Sequence, residues 1–274
     1  MTQGVLIFAF NSEFNYQELA LAAAKRVKEH LQLPVSLVTD ATTLLPEIFT
    51  SVFDKIIFSQ DTSTQTKTFF DGATASNVYV WKNANRYQSY DLTPYDETLV
   101  IDADYLVNGN FLLNCFKLEK DFLIYKNSYD LTGWREANEF KYVNQHSITF
   151  YWATVLYFKK TAKTRMLFDL VDFIRQNWNY YRLIYQIPEK KFRNDYAFSI
   201  SLHILNGYVT DNVDTIPGRM YYVTDKDILI AATDNSCTLL VEKEHAMGEY
   251  TALKISDVDV HVMNKHSILR VLND

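Results

Sequence analysis

The sequence predicts an α/β fold with a mixed sheet flanked by helices and a β-rich C-terminal part, and three observations carry that prediction. Val5 to Phe10 is an unbroken apolar run of strand length, the pattern of a strand buried on both faces. The following segments alternate as β-α-β-α-β, which implies parallel strands joined by helical crossovers. Beyond Gly218 the helical spacing gives way to short strand-like runs.

Taken in order, the run at Val5 opens a central strand, and Asn11 and Ser12 offer caps for a helix. In that helix Leu19, Ala22, Ala23, Val27 and Leu31 recur at helical spacing until Pro34 stops it. Val35 to Thr39 reads as a second strand ending at Asp40, and Lys55 to Phe58 as a third. Residues 66 to 84 read as partly helical, with Thr66 as cap. Thr98 to Ile101 is the next buried strand and runs into Asp102-Ala103-Asp104. Phe111 to Phe116 is expected as a short helix, Phe122 to Tyr125 and Ile148 to Phe158 as strands, and Thr164 to Trp178 as a helix. Asn194 is expected to cap a helix over Tyr196 to Leu205, which Asn206-Gly207 ends. Short strands are expected at Met220 to Thr224, Ile228 to Ala232, Leu239 to Val241 and Asp257 to Met263. No linker or low-complexity tract divides the chain, so residues 1–274 are read as one domain.

Composition removes several classes of function. Of 274 residues, 48% are hydrophobic and 22% charged, which is globular rather than disordered. The seven glycines never stand in GxGxxG or GxxxxGK[ST] spacing, so dinucleotide loops and P-loops are excluded. Two cysteines, Cys115 and Cys237, form no CxxC, and a reducing cytoplasm is the expected compartment. The N-terminus lacks the pattern of a signal peptide, and the longest apolar stretch is too short to span a bilayer. A net charge of -6 gives no global attraction to nucleic acid. Aromatic residues, at 15%, are in surplus, a property shared by ligand platforms and by ordinary cores.

Paired acids are the chemistry-bearing pattern. Asp102 and Asp104, at i and i+2 of an extended segment, would face one way and share a cation; two carboxylates suit Mn²⁺ or Mg²⁺ holding a diphosphate. The same pattern recurs at Asp225/Asp227 and Asp257/Asp259, but only the first follows a buried strand within the β/α half. Strict alternation from Asp257 to Met263 puts Asp257, Asp259 and His261 on one face, either as metal ligands or as the solvent side of an edge strand. Asp195 is either a dipole-matched residue of a helix start or a catalytic carboxylate. Lys159, Lys160, Lys163 and Arg165, with Lys190, Lys191 and Arg193, make two basic clusters that form a phosphate track if they converge. No HExxH or GxSxG occurs.

At Asp102-Ala103-Asp104 the chain resembles GT-A glycosyltransferases, particularly small phage-type enzymes distantly similar to the glycogenin-like group. The resemblance implies a GT-A-like, Rossmann-related sheet, with residues 1–108 as the nucleotide-sugar-binding half and 109–274 as the acceptor side and C-terminal part. It places Phe10, Asn11 and Asp40 around the base and ribose, and Arg86 and Ala103 beside the donor. It makes Asp102 and Asp104 metal ligands, with a C-terminal histidine as the third; His261 is the first choice, and His266 and His245 are alternatives. Lys265 corresponds to the family's diphosphate-binding lysine, at a shorter spacing and without the glycine. Asn194-Asp195 corresponds to the acidic motif beside the acceptor and the anomeric carbon.

The implied function is metal-dependent transfer of a sugar from a UDP-sugar to a hydroxyl acceptor, with hydroxymethylated cytosine in phage DNA as one acceptor; the compartment would then be the host cytoplasm. A glycan or lipid-linked acceptor, stacked on Trp134 and Trp152, is the alternative within enzymes. A non-catalytic nucleotide or nucleic-acid binding module is the alternative outside them, and a nucleotidyltransferase would share the paired acids and the metal. The sequence leaves the stereochemistry and the oligomeric state open.

Overall fold

The computed structural model describes residues 1–40, 46–60, 64–135, 141–209 and 212–272. Strand β1 (Gln3–Phe8), helix α1 (Tyr16–Leu31), strand β2 (Val35–Thr39), helix α2 (Glu47–Val52) and strand β3 (Lys55–Phe58) form the predicted alternation. The Asn15 side chain accepts the Glu18 N–H to start α1, and Gln32, in a left-handed conformation, ends it before Pro34.

Two strands, β4 (Gln65–Asp71) and β5 (Ala75–Trp81), follow where a helix was expected. They pair antiparallel over their whole length. The reason is local: Thr, Phe, Tyr and Val dominate this stretch, and Asp71-Gly72 supplies the turn, with Gly72 at φ 78. The short helix α3 (Ser89–Leu92) then leads into β6 (Glu97–Ile101), β7 (Tyr105–Leu106), helix α4 (Asn114–Lys117), β8 (Phe122–Tyr125) and β9 (Ser128–Asp130).

Strand β10 (Trp152–Lys159) begins later than expected, because residues 150 and 151 bond elsewhere: the Phe150 N–H donates to the Lys141 carbonyl and the Tyr151 N–H to Ser199 Oγ. The main sheet has the order β3-β2-β1-β6-β10-β8. Its first four strands are parallel, and β10 runs antiparallel to both its neighbours. Helices α5 (Ala162–Gln176), α6 (Trp178–Ile184) and α7 (Asn194–Leu205) follow. Phe168 of α5 meets Phe158 of β10 and Phe198 of α7, while Tyr157 meets Phe116 of α4, so β10 is covered on both faces.

The C-terminal part is β-rich as expected: β11 (Met220–Val223), β12 (Ile228–Ala232), β13 (Ser236–Glu242), β14 (Tyr250–Ser256), β15 (Val260–Val262) and the closing helix α8 (Lys265–Leu272). One sheet runs β7-β15-β11-β9, and β12, β13 and β14 form an antiparallel meander. The nearly buried Arg26 of α1 donates to the Asn108 side chain and to the carbonyls of Thr233 and Asp234, tying this region to the main sheet's helical layer. Among the described residues, no helix is long and apolar enough to cross a membrane.

Candidate functional site

The site forms where the chain changes sheets. Asp102 makes the last bond to the main sheet, its N–H donating to the Thr154 carbonyl, and Tyr105 joins the second sheet as the start of β7. Between them, Asp102 to Asp104 is a turn closed by the Tyr105 N–H on the Asp102 carbonyl, not the extended segment expected. Both side chains nevertheless border one cavity of ≈ 390 Å³, within the usual range for ligand sites.

Register brings the third residue. Tyr105 of β7 pairs with His261 of β15, and the Val262 N–H donates to the Asp104 carbonyl at 3.0 Å, so His261 stands beside Asp104 across 157 positions of sequence. Donor atoms of Asp102, Asp104 and His261 lie within 4.8 Å of one another. His261 Nε2 is 3.3 Å from Asp104 Oδ2, and Lys265 Nζ is 2.6 Å from the same oxygen. Asp102 is paired with the Arg86 guanidinium. Burial alone would raise the Asp104 carboxyl, but Lys265 and His261 outweigh it and hold that group well below the usual carboxylate range.

The set suits a hard divalent cation. It offers two carboxylates and one imidazole, and the buried His261 Nδ1 has no hydrogen-bond partner among the described residues. The two alternative histidines stand elsewhere. His266 packs against Phe14 and Tyr79 in an aromatic cluster, and the His245 side chain is 91% exposed beside Glu244.

Asp195 lies in the same cavity, in the first turn of α7. The N-cap of that helix is Arg193, so Asn194 is its first residue rather than the expected cap. Asp195 Oδ1 accepts the Ala153 N–H at 2.9 Å, and Oδ2 pairs with Arg193 at 2.8 Å. Burial pushes this carboxyl up, yet Arg193, the Ala153 N–H and Arg86 together keep it below its ordinary value. Asn194 also borders the cavity, and its buried Oδ1 has no partner among the described residues.

Ala103, Arg86 and Lys265 border the cavity, whereas Phe10, Asn11 and Asp40 do not. Phe10 is buried and bonds through its backbone to Asn83, itself a cavity residue. Asn11 is spent on the start of α1, accepting the Gln17 N–H and donating to Asn15. Asp40 pairs with Lys82 at 3.4 Å, next to residues outside the described set.

The other acidic patterns separate. Asp225 borders the cavity, but Asp227 is fully buried and holds Arg135 in a bidentate pair. Asp257 takes a φ of 57 before β15 begins, and Asp259 accepts the N–H groups of Asn108 and Gly109, so neither joins His261. The two basic clusters do not converge. Lys159 pairs with Glu97 at the opposite end of β6 from Asp102, Lys160 donates to the Thr93 carbonyl and Arg165 pairs with Asp91, while only Lys191 and Arg193 of the second cluster reach the cavity. Of the expected aromatic platforms, Trp152 lines the cavity and Trp134 does not.

Sequence reading missed what the β4–β5 hairpin contributes, namely Lys67, Phe69 and Trp81, together with Tyr16 of α1. The signal was present in the Asp71-Gly72 turn between runs rich in Thr, Phe, Tyr and Val. Five cationic side chains (Lys67, Arg86, Lys191, Arg193, Lys265) and five carboxylates (Asp102, Asp104, Glu189, Asp195, Asp225) border the cavity, a formal balance of zero that a divalent cation would turn positive, in favour of an anion.

No protein-family model matches the chain, and no curated protein matches it. Among solved structures it is similar to the glycosyltransferase GlyE of Streptococcus pneumoniae TIGR4, at 16% identity and a TM-score of 0.44 over 79% of this chain and 46% of that one. It is similar to the galactosyltransferase LgtC in complex with donor and acceptor sugar analogues, at 15% identity and a TM-score of 0.44 over 77% of this chain and 72% of that one. It is also similar to mouse xyloside xylosyltransferase 1, at 13% identity and a TM-score of 0.45 over 78% of this chain and 86% of that one. The chain therefore spans about half the length of GlyE (46%). Similarity this distant assigns no activity by itself.

Proposed function

We propose that the chain is a metal-dependent glycosyltransferase of GT-A type, moving a sugar from a nucleoside-diphosphate sugar, with a UDP-sugar as the leading candidate, to a hydroxyl acceptor. The observation that carries the proposal is the meeting of Asp102, Asp104 and His261 in a cavity that also holds Arg86, Lys265 and Asp195. In this reading residues 1–108 serve the donor, and later segments serve the acceptor and complete the metal site.

Asp102, Asp104 and His261 would hold Mn²⁺ or Mg²⁺. A divalent cation there supplies positive charge against the departing diphosphate. Arg86 and Lys265 are the cations placed to meet phosphate oxygens, and both are already fixed by the carboxylates they neutralise. Asp195 stays ionised through its contacts with Arg193 and the Ala153 N–H. A carboxylate held that low is a weak proton acceptor, so we assign it the stabilisation of positive charge developing at the anomeric carbon rather than general-base work. Asn194 Oδ1 is available to accept from a sugar hydroxyl.

The first basic cluster lies at the far end of β6, so the acceptor is assigned no further than a hydroxyl compound. The test is incubation with UDP-, GDP-, CDP- and ADP-sugars, with and without Mn²⁺, in the wild type, Asp104→Asn and Asp195→Asn. Metal-dependent release of a nucleoside diphosphate that falls at least about a hundredfold in both variants supports the proposal, the size expected for a lost charge-stabilising group. Release of a sugar 1-phosphate, the leaving group when the nucleotidyl group is transferred, would instead identify a nucleotidyltransferase, and metal-linked binding without turnover a binding module.

A further inference from the structure

Of the five cations around the cavity, four are engaged. Arg86 pairs with Asp102, Lys265 with Asp104 and Arg193 with Asp195, and Lys191 donates to the Thr66 carbonyl. Lys67 differs: no carboxylate of the described residues lies within 4.0 Å of its ammonium, which rests 5.4 Å from the centre of the Trp81 ring.

Strand geometry places this group. Gln65, Lys67 and Phe69 are alternate residues of β4 and share one face. At one end of that face the Gln65 amide donates to the Phe192 carbonyl, next to Arg193; at the other, the Lys265 ammonium sits 5.4 Å over the Phe69 ring. Lys67 stands midway, roughly 6–7 Å along the strand from each. Three cations from three separate elements thus converge; Arg193 and Lys265 each hold a carboxylate in direct contact, and Lys67 holds none. Such convergence is relieved by an anion with several oxygens spread over more than one centre.

We propose that Lys67 binds the diphosphate of the donor, as a contact delivered by the β4–β5 hairpin and additional to Arg86 and Lys265. The inference rests on the proposed function for the identity of its ligand. Lys67 is open to the cavity, yet burial and the charges of Lys265 and Arg193 push its ammonium down to about 7, against the smaller opposing pull of Asp104 and Asp195. Asp225 feels the charge of Lys67 as well. A diphosphate arriving beside Lys67 restores the favoured charge, so binding takes up a proton from solution at slightly alkaline pH.

The test is titration calorimetry at pH 7.5 in two buffers of different ionisation enthalpy, with Mg²⁺ present, using UDP, GDP, CDP, ADP and inorganic pyrophosphate as probes. Wild type, Lys67→Gln and Lys67→Arg are compared, and Mg²⁺ alone is titrated into each. The expected result is proton uptake by the wild type, at least tenfold weaker diphosphate binding by Lys67→Gln with unchanged affinity for Mg²⁺ alone, and restored affinity without proton uptake in Lys67→Arg. Equal diphosphate affinity in the wild type and Lys67→Gln overturns the inference and leaves the glycosyltransferase reading standing. Pyrophosphate binding that depends on Lys67, without binding of any nucleoside diphosphate, supports the anion contact and sinks that reading. Binding of neither probe overturns both.

Discussion

Asp104 is the residue on which the proposed metal site turns, because its Oδ2 is shared by His261 and Lys265. A cation entering there competes with the lysine for that oxygen. Lys265→Gln is therefore predicted to tighten binding of Mn²⁺ alone by at least about fivefold, roughly 1 kcal/mol, while weakening nucleoside-diphosphate binding. Paired titrations check it, and unchanged Mn²⁺ affinity would show that the oxygen is not shared.

Asp259 gives a prediction of the opposite kind, about stability. Burial raises its carboxyl from 3.8 to about 6, against the pull of the Asn108 and Gly109 N–H groups. The folded state thus binds the proton more tightly than the unfolded chain, so the contribution is greatest below pH 3.8 and is lost as pH rises toward 6. Asp259→Asn keeps an oxygen for both N–H groups and is predicted to be more stable relative to wild type at pH 7 than at pH 4. Urea midpoints at the two pH values check it; an identical difference at both would remove Asp259 as the source. His261 shows why such sites are only half legible in sequence. Its residue type and alternation marked it, but its partner was set by the β7–β15 register, and the same alternation put Asp257 and Asp259 on its face without telling that they bond elsewhere.

At the scale of elements, the β/α half was legible because buried parallel strands write long apolar runs and helices write spacing and caps. Hairpin β4–β5 was not: apart from Phe69 its apolar residues are at most partly buried, and Thr66 reads as a helix cap although Asp71-Gly72 marks a turn. Strand β14 escaped for a related reason, since its exposed face carries Ala252, Lys254 and Ser256 and little of it enters the core. Helix α5 was recognised, and its start carries a reciprocal cap: Thr164 N–H donates to Thr161 Oγ1, and Thr161 N–H to Thr164 Oγ1. Thr161→Ala is predicted to cost about 1 kcal/mol of stability without changing ligand binding. Denaturation with and without nucleotide distinguishes that from a role in the site.

At the scale of the whole molecule, the cavity is assembled from both ends of the chain. The first sheet delivers Asp102, the second delivers His261, the β4–β5 hairpin and α8 deliver lysines, and α7 delivers Asp195. Charge at this scale also bears on the acceptor. With a net charge of -6 and one basic cluster at the far end of the sheet, transfer to a small hydroxyl acceptor is predicted to change little between 50 and 200 mM salt, a range over which a DNA acceptor contacted through several phosphates would lose orders of magnitude.

The central claim is that metal and nucleoside diphosphate share one site through Asp104. Thermal unfolding of the wild type and Asp104→Ala, with UDP, GDP, CDP or ADP and with or without Mn²⁺, tests it most directly. One nucleotide should stabilise the wild type only when Mn²⁺ is present, by about 2.7 kcal/mol at a hundredfold excess over Kd, and should leave Asp104→Ala unmoved. Stabilisation that persists without metal or in Asp104→Ala, or none with any nucleotide, would contradict it.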